Sequence, residues 1–244
     1  MFYSSIQKFI KEHNYPNLNI KAVLFDMDGV LLDSMEKHAV AWKQTMDDYG
    51  IPFTVEEIYL YEGQPGPITI DEAFQRHFGR NSTEEEAKEL YRVKSTYIEA
   101  MEPIGPMVNA GELLDQVKAQ GLETYLVTGS GQQTIIDMLD KHFPGVFPAD
   151  HMVTAMQDIP GKPAPDPYLR ALSIAGVQAW EAIVIENAPL GVESSVAAGI
   201  YTIAINTGPL SSELLKERGA QIVLDGGITE LNEKWQEIAA SLNI

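Results

Sequence analysis

The chain alternates between two hydrophobic periods. Phe2, Ile6, Phe9 and Ile10 recur at helical spacing with Lys8, Lys11 and Glu12 between them. That spacing predicts a short amphipathic helix lying on the core, with partner binding as the alternative. Ala22-Val23-Leu24-Phe25 is short, apolar and bounded by turn residues, and reads as part of a buried strand over Lys21–Asp26. Gly29 then permits a sharp backbone turn. A helix is expected through Glu36, His38, Trp42 and Met46, ending near Gly50.

Residues 54–102 are rich in Glu and Tyr, and their apolar positions return every three or four residues. Thr54 with Glu57 reads as a capping box, Ile68–Phe78 as a helix ended by Gly79, and Ser82-Thr83-Glu84-Glu85-Glu86 as the start of another running to about Ala100. From Pro103 onward helical and strand patterns alternate. Strands are expected at Thr124–Val127, Met152–Thr154, Ala182–Ile185, Tyr201–Ile205 and Ile222–Leu224. Helices are expected at 110–120, 132–141, 168–175 and 191–199. This alternation predicts an α/β fold, a parallel sheet with helices on both faces. The expected division is an N-terminal helical extension over 1–19, a core from 20–34 and 104–244, and an inserted α-helical cap over 35–103.

The 244 residues carry a formal net charge of −18 and no cysteine. Such a charge argues against nucleic acid and anionic membrane as partners. The missing cysteine excludes disulfides, a thiolate nucleophile and cysteine zinc sites. No apolar run reaches membrane-spanning length, and the N-terminus lacks the apolar core of a signal peptide. A cytoplasmic protein, monomeric or weakly homo-oligomeric, is expected.

Candidate chemistry gathers at the expected carboxyl ends of the strands. Asp26 and Asp28 flank the end of the first strand, Thr128 follows the second, Lys162 lies in a proline-rich loop, and Glu186-Asn187 follow Ile185. In a parallel sheet these ends converge on one crevice. The set comprises a nucleophile, a proton-handling acid, a hydroxyl, a cation and a pair of metal ligands, which suits phosphoryl transfer. Magnesium fits carboxylate and carbonyl oxygens together with phosphate.

Four stretches in this order make the pattern recognisable: Phe25-Asp26-Met27-Asp28-Gly29-Val30-Leu31-Leu32-Asp33-Ser34, Val127-Thr128-Gly129-Ser130, Gly161-Lys162-Pro163-Ala164-Pro165-Asp166 and Ile185-Glu186-Asn187-Ala188-Pro189-Leu190-Gly191-Val192. The chain resembles the haloacid dehalogenase superfamily, and within it the β-phosphoglucomutase-like branch, from Lys21 to about Gly208. The resemblance implies a Rossmann-like core with a helical cap inserted after the first strand. It implies that Asp26 forms an aspartyl phosphate and that Asp28 serves as general acid and base. Thr128, Gly129 and Ser130 would hold the phosphoryl oxygens, and Lys162 would neutralise charge. Asp26, Asp28 through its backbone carbonyl, Glu186 and Asn187 would bind Mg2+. The family's fourth motif usually carries two acidic residues; here the second is Asn187.

The stretch Tyr61-Glu62-Gly63-Gln64-Pro65-Gly66-Pro67 has no lysine or arginine where β-phosphoglucomutases hold a distal sugar phosphate. With Glu62-Gly63 and Asn187, the chain is similar to Bacteroides-type inorganic pyrophosphatases of this superfamily, which implies that Glu62 reaches the metal or its waters; a surface residue flanking a glycine-proline turn is the alternative. His38 stands where the mutase-type pattern has a histidine that couples cap closure to catalysis; a surface histidine is the alternative. Lys37, Arg76, Arg92 and Lys94 are cap-region cations open to contact with an anionic leaving group, most of them expected on solvated helix faces. The reading is therefore a magnesium-dependent phosphohydrolase acting on pyrophosphate or a small phosphate monoester. β-Phosphoglucomutase is the alternative enzyme, and a non-catalytic binding module is the alternative of another class.

Overall fold

The computed structural model describes residues 2–242. Along the chain run α1 (Phe2–His13), β1 (Ala22–Phe25), α2 (Met35–Asp48), α3 (Val55–Leu60), α4 (Gly66–Phe78), α5 (Glu84–Glu99), α6 (Ala110–Ala119) and β2 (Glu123–Val127). They are followed by α7 (Gln133–His142), β3 (Met152–Val153), α8 (Asp166–Ala175), β4 (Ala182–Glu186), α9 (Pro189–Ala197), β5 (Tyr201–Ile205), α10 (Ser212–Glu217), β6 (Ile222–Leu224) and α11 (Gly227–Leu242). The strands form one sheet in the order β3-β2-β1-β4-β5-β6, with every neighbouring pair parallel.

β1, β4 and β5 are buried along their whole length, so they read as nearly continuous apolar runs, interrupted by Thr202 and ended by Glu186, rather than alternating ones. Alternate residues still serve different faces. Val23, Phe25, Ile183, Ile185 and Ile203 pack with the helices α1, α6, α7 and α11. Ala22, Leu24, Val127 and Val184 pack with Tyr168, Ala171 and Leu172 of α8. The N-terminal amphipathic helix lies on the first of these faces, with Phe2, Ile6 and Phe9 buried and Phe9 set edge-on to Tyr201 at 5.3 Å between ring centroids.

α2 to α5 surround a hydrophobic cluster of their own, built on Trp42, Met46, Phe53, Ile58, Ile70, Phe74 and Leu90. Their ends are fixed locally. Thr54 with Glu57, and Thr83 with Glu86, form complete capping boxes, and Gly79 ends α4 at φ +69°. Two helices exceed the expectation, α10 and α11. Ile228, Leu231, Trp235, Ile238 and Leu242 of α11 are buried on the α1 face. Each such side chain contributes roughly 1.5–3 kcal/mol relative to exposure. No described helix is long and apolar enough to cross a membrane.

Candidate active site

β1 ends at Phe25, paired with Ile185 on one side and Leu126 on the other. This register sets Asp26 beside Glu186, and the Asp26 amide donates to the Ile185 carbonyl (3.0 Å). β1 and β4 flank the point where the strand order reverses, the place where open α/β sheets form a ligand crevice. The chain then turns tightly. The Leu31 and Leu32 amides both donate to the Met27 carbonyl (2.9 and 3.0 Å), and Gly29 sits at φ +80°. A Cβ on Gly29 would meet Asn187 Nδ2 at 2.2 Å, so the turn needs glycine both for its backbone and for that contact. The result buries Asp26 and Asp28 together, each 4% exposed.

The two carboxylates have different partners. Lys162 Nζ donates to Asp26 Oδ1 (2.6 Å), Glu186 Oε1 (2.6 Å) and the Val127 carbonyl (3.0 Å). Burial works against its charge, but Asp26 and Glu186 outweigh burial and hold its pKa above the ordinary lysine value. Burial raises the Asp26 carboxyl, against the pull of Lys162. Asp28 Oδ1 instead accepts from Ser34 Oγ (2.5 Å) and faces His38 Nε2 (3.1 Å). Burial opposes ionisation of Asp28 too, yet His38 and Ser34 prevail and hold it below the usual carboxylate range.

Behind His38 stands Lys94. Its Nζ donates to His38 Nδ1 (2.8 Å) and to Gln132 Oε1 (2.9 Å). A protonated lysine only donates, so Nδ1 accepts and the ring proton belongs on Nε2, facing Asp28. Lys94 is buried against Trp42 and Tyr91, and burial pushes its pKa down to about 8.

Thr128, Gly129 and Ser130 follow β2 into the same crevice. Thr128 Oγ1 accepts from the Ser130 amide (3.0 Å), and Ser130 Oγ accepts from the Gln132 amide (3.3 Å). Glu62 arrives from the loop between α3 and α4. It lines a cavity of about 30 Å3 together with Asp28, His38, Lys94 and Ser130. Burial of its carboxyl raises its pKa, while His38 and Lys94 pull it down.

Glu186 has partners other than a metal-ligand role would require. Lys162 Nζ and Tyr168 Oη donate to Oε1, and the Asn187 and Ala188 amides donate to Oε2 at 2.8 and 2.9 Å. Four donors occupy both oxygens of a side chain with no exposure. A Cβ on Gly191 would meet Glu186 Oε1 at 1.7 Å, so α9 leaves this carboxylate its place.

Asn187 differs. Its Nδ2 donates to Thr207 Oγ1 (3.1 Å), and Thr207 in turn donates to the Gly29 carbonyl (2.8 Å), which fixes the amide's orientation. Its Oδ1 is buried without a hydrogen-bond partner. No three His, Asp or Glu side chains converge as a metal-holding group among the described residues. The oxygen set of Asp26, Asp28 and the orphan Asn187 Oδ1 nevertheless fits a hard divalent cation, which takes carboxylate and amide oxygens and keeps several waters.

Of the four cap-region cations open to contact with an anionic leaving group, Lys94 is the one that is buried. Leu90, Lys94 and Ile98 are the buried residues of α5, spaced four apart. A lysine on that apolar stripe was the available signal. The other cap-region cations are engaged elsewhere: Arg92 with Glu89, Arg76 with Glu57, and Lys37 with the Glu102 and Pro103 carbonyls. Ser34 stands within the first motif, but its bond to Asp28 is not legible there; Gln132 and Tyr168 give no signal, since an isolated polar residue shows none until the fold brings it to a partner.

Comparison with known proteins identifies the family. Residues 23–205 match the family described as haloacid dehalogenase-like hydrolase. Hexitol phosphatase A of Escherichia coli is 31% identical over 201 residues, covering 82% of this chain and 89% of that protein. A provisionally assigned pyrophosphatase of Caldanaerobacter subterraneus is 28% identical, covering 82% and 88%. The solved structure of a provisionally assigned beta-phosphoglucomutase from Bacteroides vulgatus is 42% identical with a TM-score of 0.95, covering 100% of this chain and 98% of that one. The chain therefore belongs to the haloacid dehalogenase-like hydrolases, and is an enzyme of their phosphatase and phosphotransferase class.

Proposed function

We propose that the chain is a magnesium-dependent phosphohydrolase that moves the phosphoryl group of a small anionic substrate onto Asp26 and then onto water. The observation that carries this reading is the different holding of two adjacent buried carboxylates: Asp26 on the Lys162 cation, Asp28 on Ser34 and His38. Asp26 attacks phosphorus while Asp28 gives its proton to the departing oxygen. Water then attacks the aspartyl phosphate and loses a proton to Asp28, which releases phosphate and restores Asp26. His38 and Ser34 favour the ionised form of Asp28, which suits the second step. An anionic substrate beside Asp28 raises its pKa and so favours protonation for the first. Lys162 offsets charge on Asp26 and the phosphoryl group, and Thr128 with the Gly129 and Ser130 amides would hold the phosphoryl oxygens.

Asp26, Asp28 and Asn187 are the residues that would hold magnesium, which when bound supplies positive charge to phosphate oxygens. Helices α2 to α5 would act as the cap. Support for a small leaving group comes from the cavity of about 30 Å3, against the roughly 300–1,000 Å3 of drug-sized ligand pockets. Lys94, with Gln132 Nε2 buried and unpartnered, could take an anionic leaving group. Inorganic pyrophosphate fits these features, and a pyrophosphatase is among the relatives. The second reading is a β-phosphoglucomutase, favoured by the Bacteroides vulgatus structure and by the same Lys94–Gln132 pair, which could hold a distal sugar phosphate.

Steady-state turnover with magnesium, comparing pyrophosphate, β-glucose 1-phosphate and a monoester panel, tests the reading. Pyrophosphate is expected to lead in kcat/KM by orders of magnitude. Efficient glucose 6-phosphate formation from β-glucose 1-phosphate with a trace of the bisphosphate would establish the mutase instead. No turnover of any donor would overturn both.

A further inference from the structure

The loop that carries Glu62 rests on the core where the core has no side chain. A Cβ on Gly129 would meet the Gly63 carbonyl oxygen at 2.1 Å, and one on Gly161 would meet Cδ and Cγ of Pro65 at 2.2 and 2.3 Å. Neither Gly129 nor Gly161 is among the positive-φ glycines, so neither is required by its own backbone. Each is bare for the sake of the chain lying on it. Gly63 completes the contact at φ +92°, with Lys162 Cδ at 3.3 Å from where its Cβ would stand.

The depth at which this loop seats decides where Glu62 and Gln64 stand, and both line the small cavity shared with Asp28, His38 and Lys94. We propose that Gly161, through its bare Cα under the Pro65 ring, is a specificity-determining residue that sets the seating depth of the 62–66 loop and thereby the size of leaving group admitted. The inference rests on the phosphohydrolase reading and deepens it. A methyl group at 161 cannot coexist with the Pro65 ring at 2.2 Å, whereas ordinary contact begins near 3.4 Å. The loop must lift by about 1 Å or more, which enlarges the cavity and weakens the preference for a small leaving group. Lys162 Nζ is held by Asp26, Glu186 and the Val127 carbonyl, none of them part of the 62–66 loop.

Wild type, Gly161→Ala, Pro65→Ala and the double variant would be compared by the ratio of kcat/KM for pyrophosphate to that for p-nitrophenyl phosphate at saturating magnesium, with thermal unfolding alongside. The ratio is expected to fall about tenfold or more in Gly161→Ala. Pro65→Ala removes the two ring carbons the methyl would strike, so the double variant is expected to return to within about threefold of Pro65→Ala. That rescue separates the seating contact from damage to the Lys162 loop. An active wild type with an unchanged ratio in Gly161→Ala overturns this inference alone, as does a fall that Pro65→Ala does not rescue. A Gly161→Ala chain that unfolds while the double variant folds supports the contact; unfolding in both backgrounds overturns it. A wild type inactive on both donors overturns the phosphohydrolase reading and this inference with it.

Discussion

Lys94 Nζ lies 2.8 Å from His38 Nδ1, and the opposite edge of that imidazole faces Asp28. A cation on α5 is thereby joined to a carboxylate that follows β1, through a ring on α2. The helical unit and the sheet meet in one hydrogen-bonded line, and that line orients the proposed proton carrier.

Lys94→Met should lower kcat/KM for pyrophosphate by about 10- to 100-fold, the scale of a lost charge-assisted hydrogen bond. Burial sets the Lys94 pKa at about 8, so the cation is present below that pH and lost above it. Activity that uses the cation should therefore fall as pH rises through about 8. That alkaline limb should vanish in Lys94→Met; an unchanged pH–rate profile would remove Lys94 from the reaction.

Asp26→Asn should reduce turnover by more than about 10³-fold, because it removes the attacking oxygen anion while nearly keeping the shape. The fold should survive. Burial already disfavours the charged carboxylate, and Lys162 retains Glu186. Acid quenching during turnover should trap phosphoprotein in wild type and none in the variant, and substantial turnover in a pure sample would rule out the covalent route.

Glu186→Gln and Asn187→Ala should separate two roles. Glu186 is saturated by four donors, one of them Lys162, so Glu186→Gln should lower kcat about 10- to 100-fold with little change in the magnesium concentration giving half-maximal rate. Asn187 carries the orphan Oδ1, so Asn187→Ala should raise that concentration about tenfold or more. Magnesium titrations of both variants check the assignment, and the reverse pattern would return Glu186 to the metal.

Thr83→Ala should cost about 1 kcal/mol of stability by removing the side-chain half of a capping box, with kcat/KM nearly unchanged. Urea unfolding and the standard turnover assay measure the two quantities. A large activity loss would show that the start of α5 is coupled to Lys94, further along the same helix.

Much of the molecule was legible because its determinants are local. Ala22–Phe25 is a strand because four apolar residues between turn residues are buried on both faces, and the Thr54 and Thr83 capping boxes lie within three residues of their partners. The apolar period of α11 is as readable as that of α1: Ile228, Leu231, Trp235 and Ile238 carry the signal. Asp26, Asp28 and Lys162 were expected to meet from strand ends and motif order, and they are buried together.

Order along the chain thus determined the strands, most helices and the set of polar residues placed at the sheet's carboxyl end. Only the tertiary structure decided their partners. Glu186 and Asn187 are neighbours of nearly equal promise in sequence, but four donors surround one while the amide oxygen of the other is left without any. Lys94 reads as a helix cation until α5 turns it inward onto His38 and Gln132. Hydrophobic period and turn chemistry act over a few residues, whereas the partner of a buried charge is chosen by whatever the fold brings within about 3 Å of it.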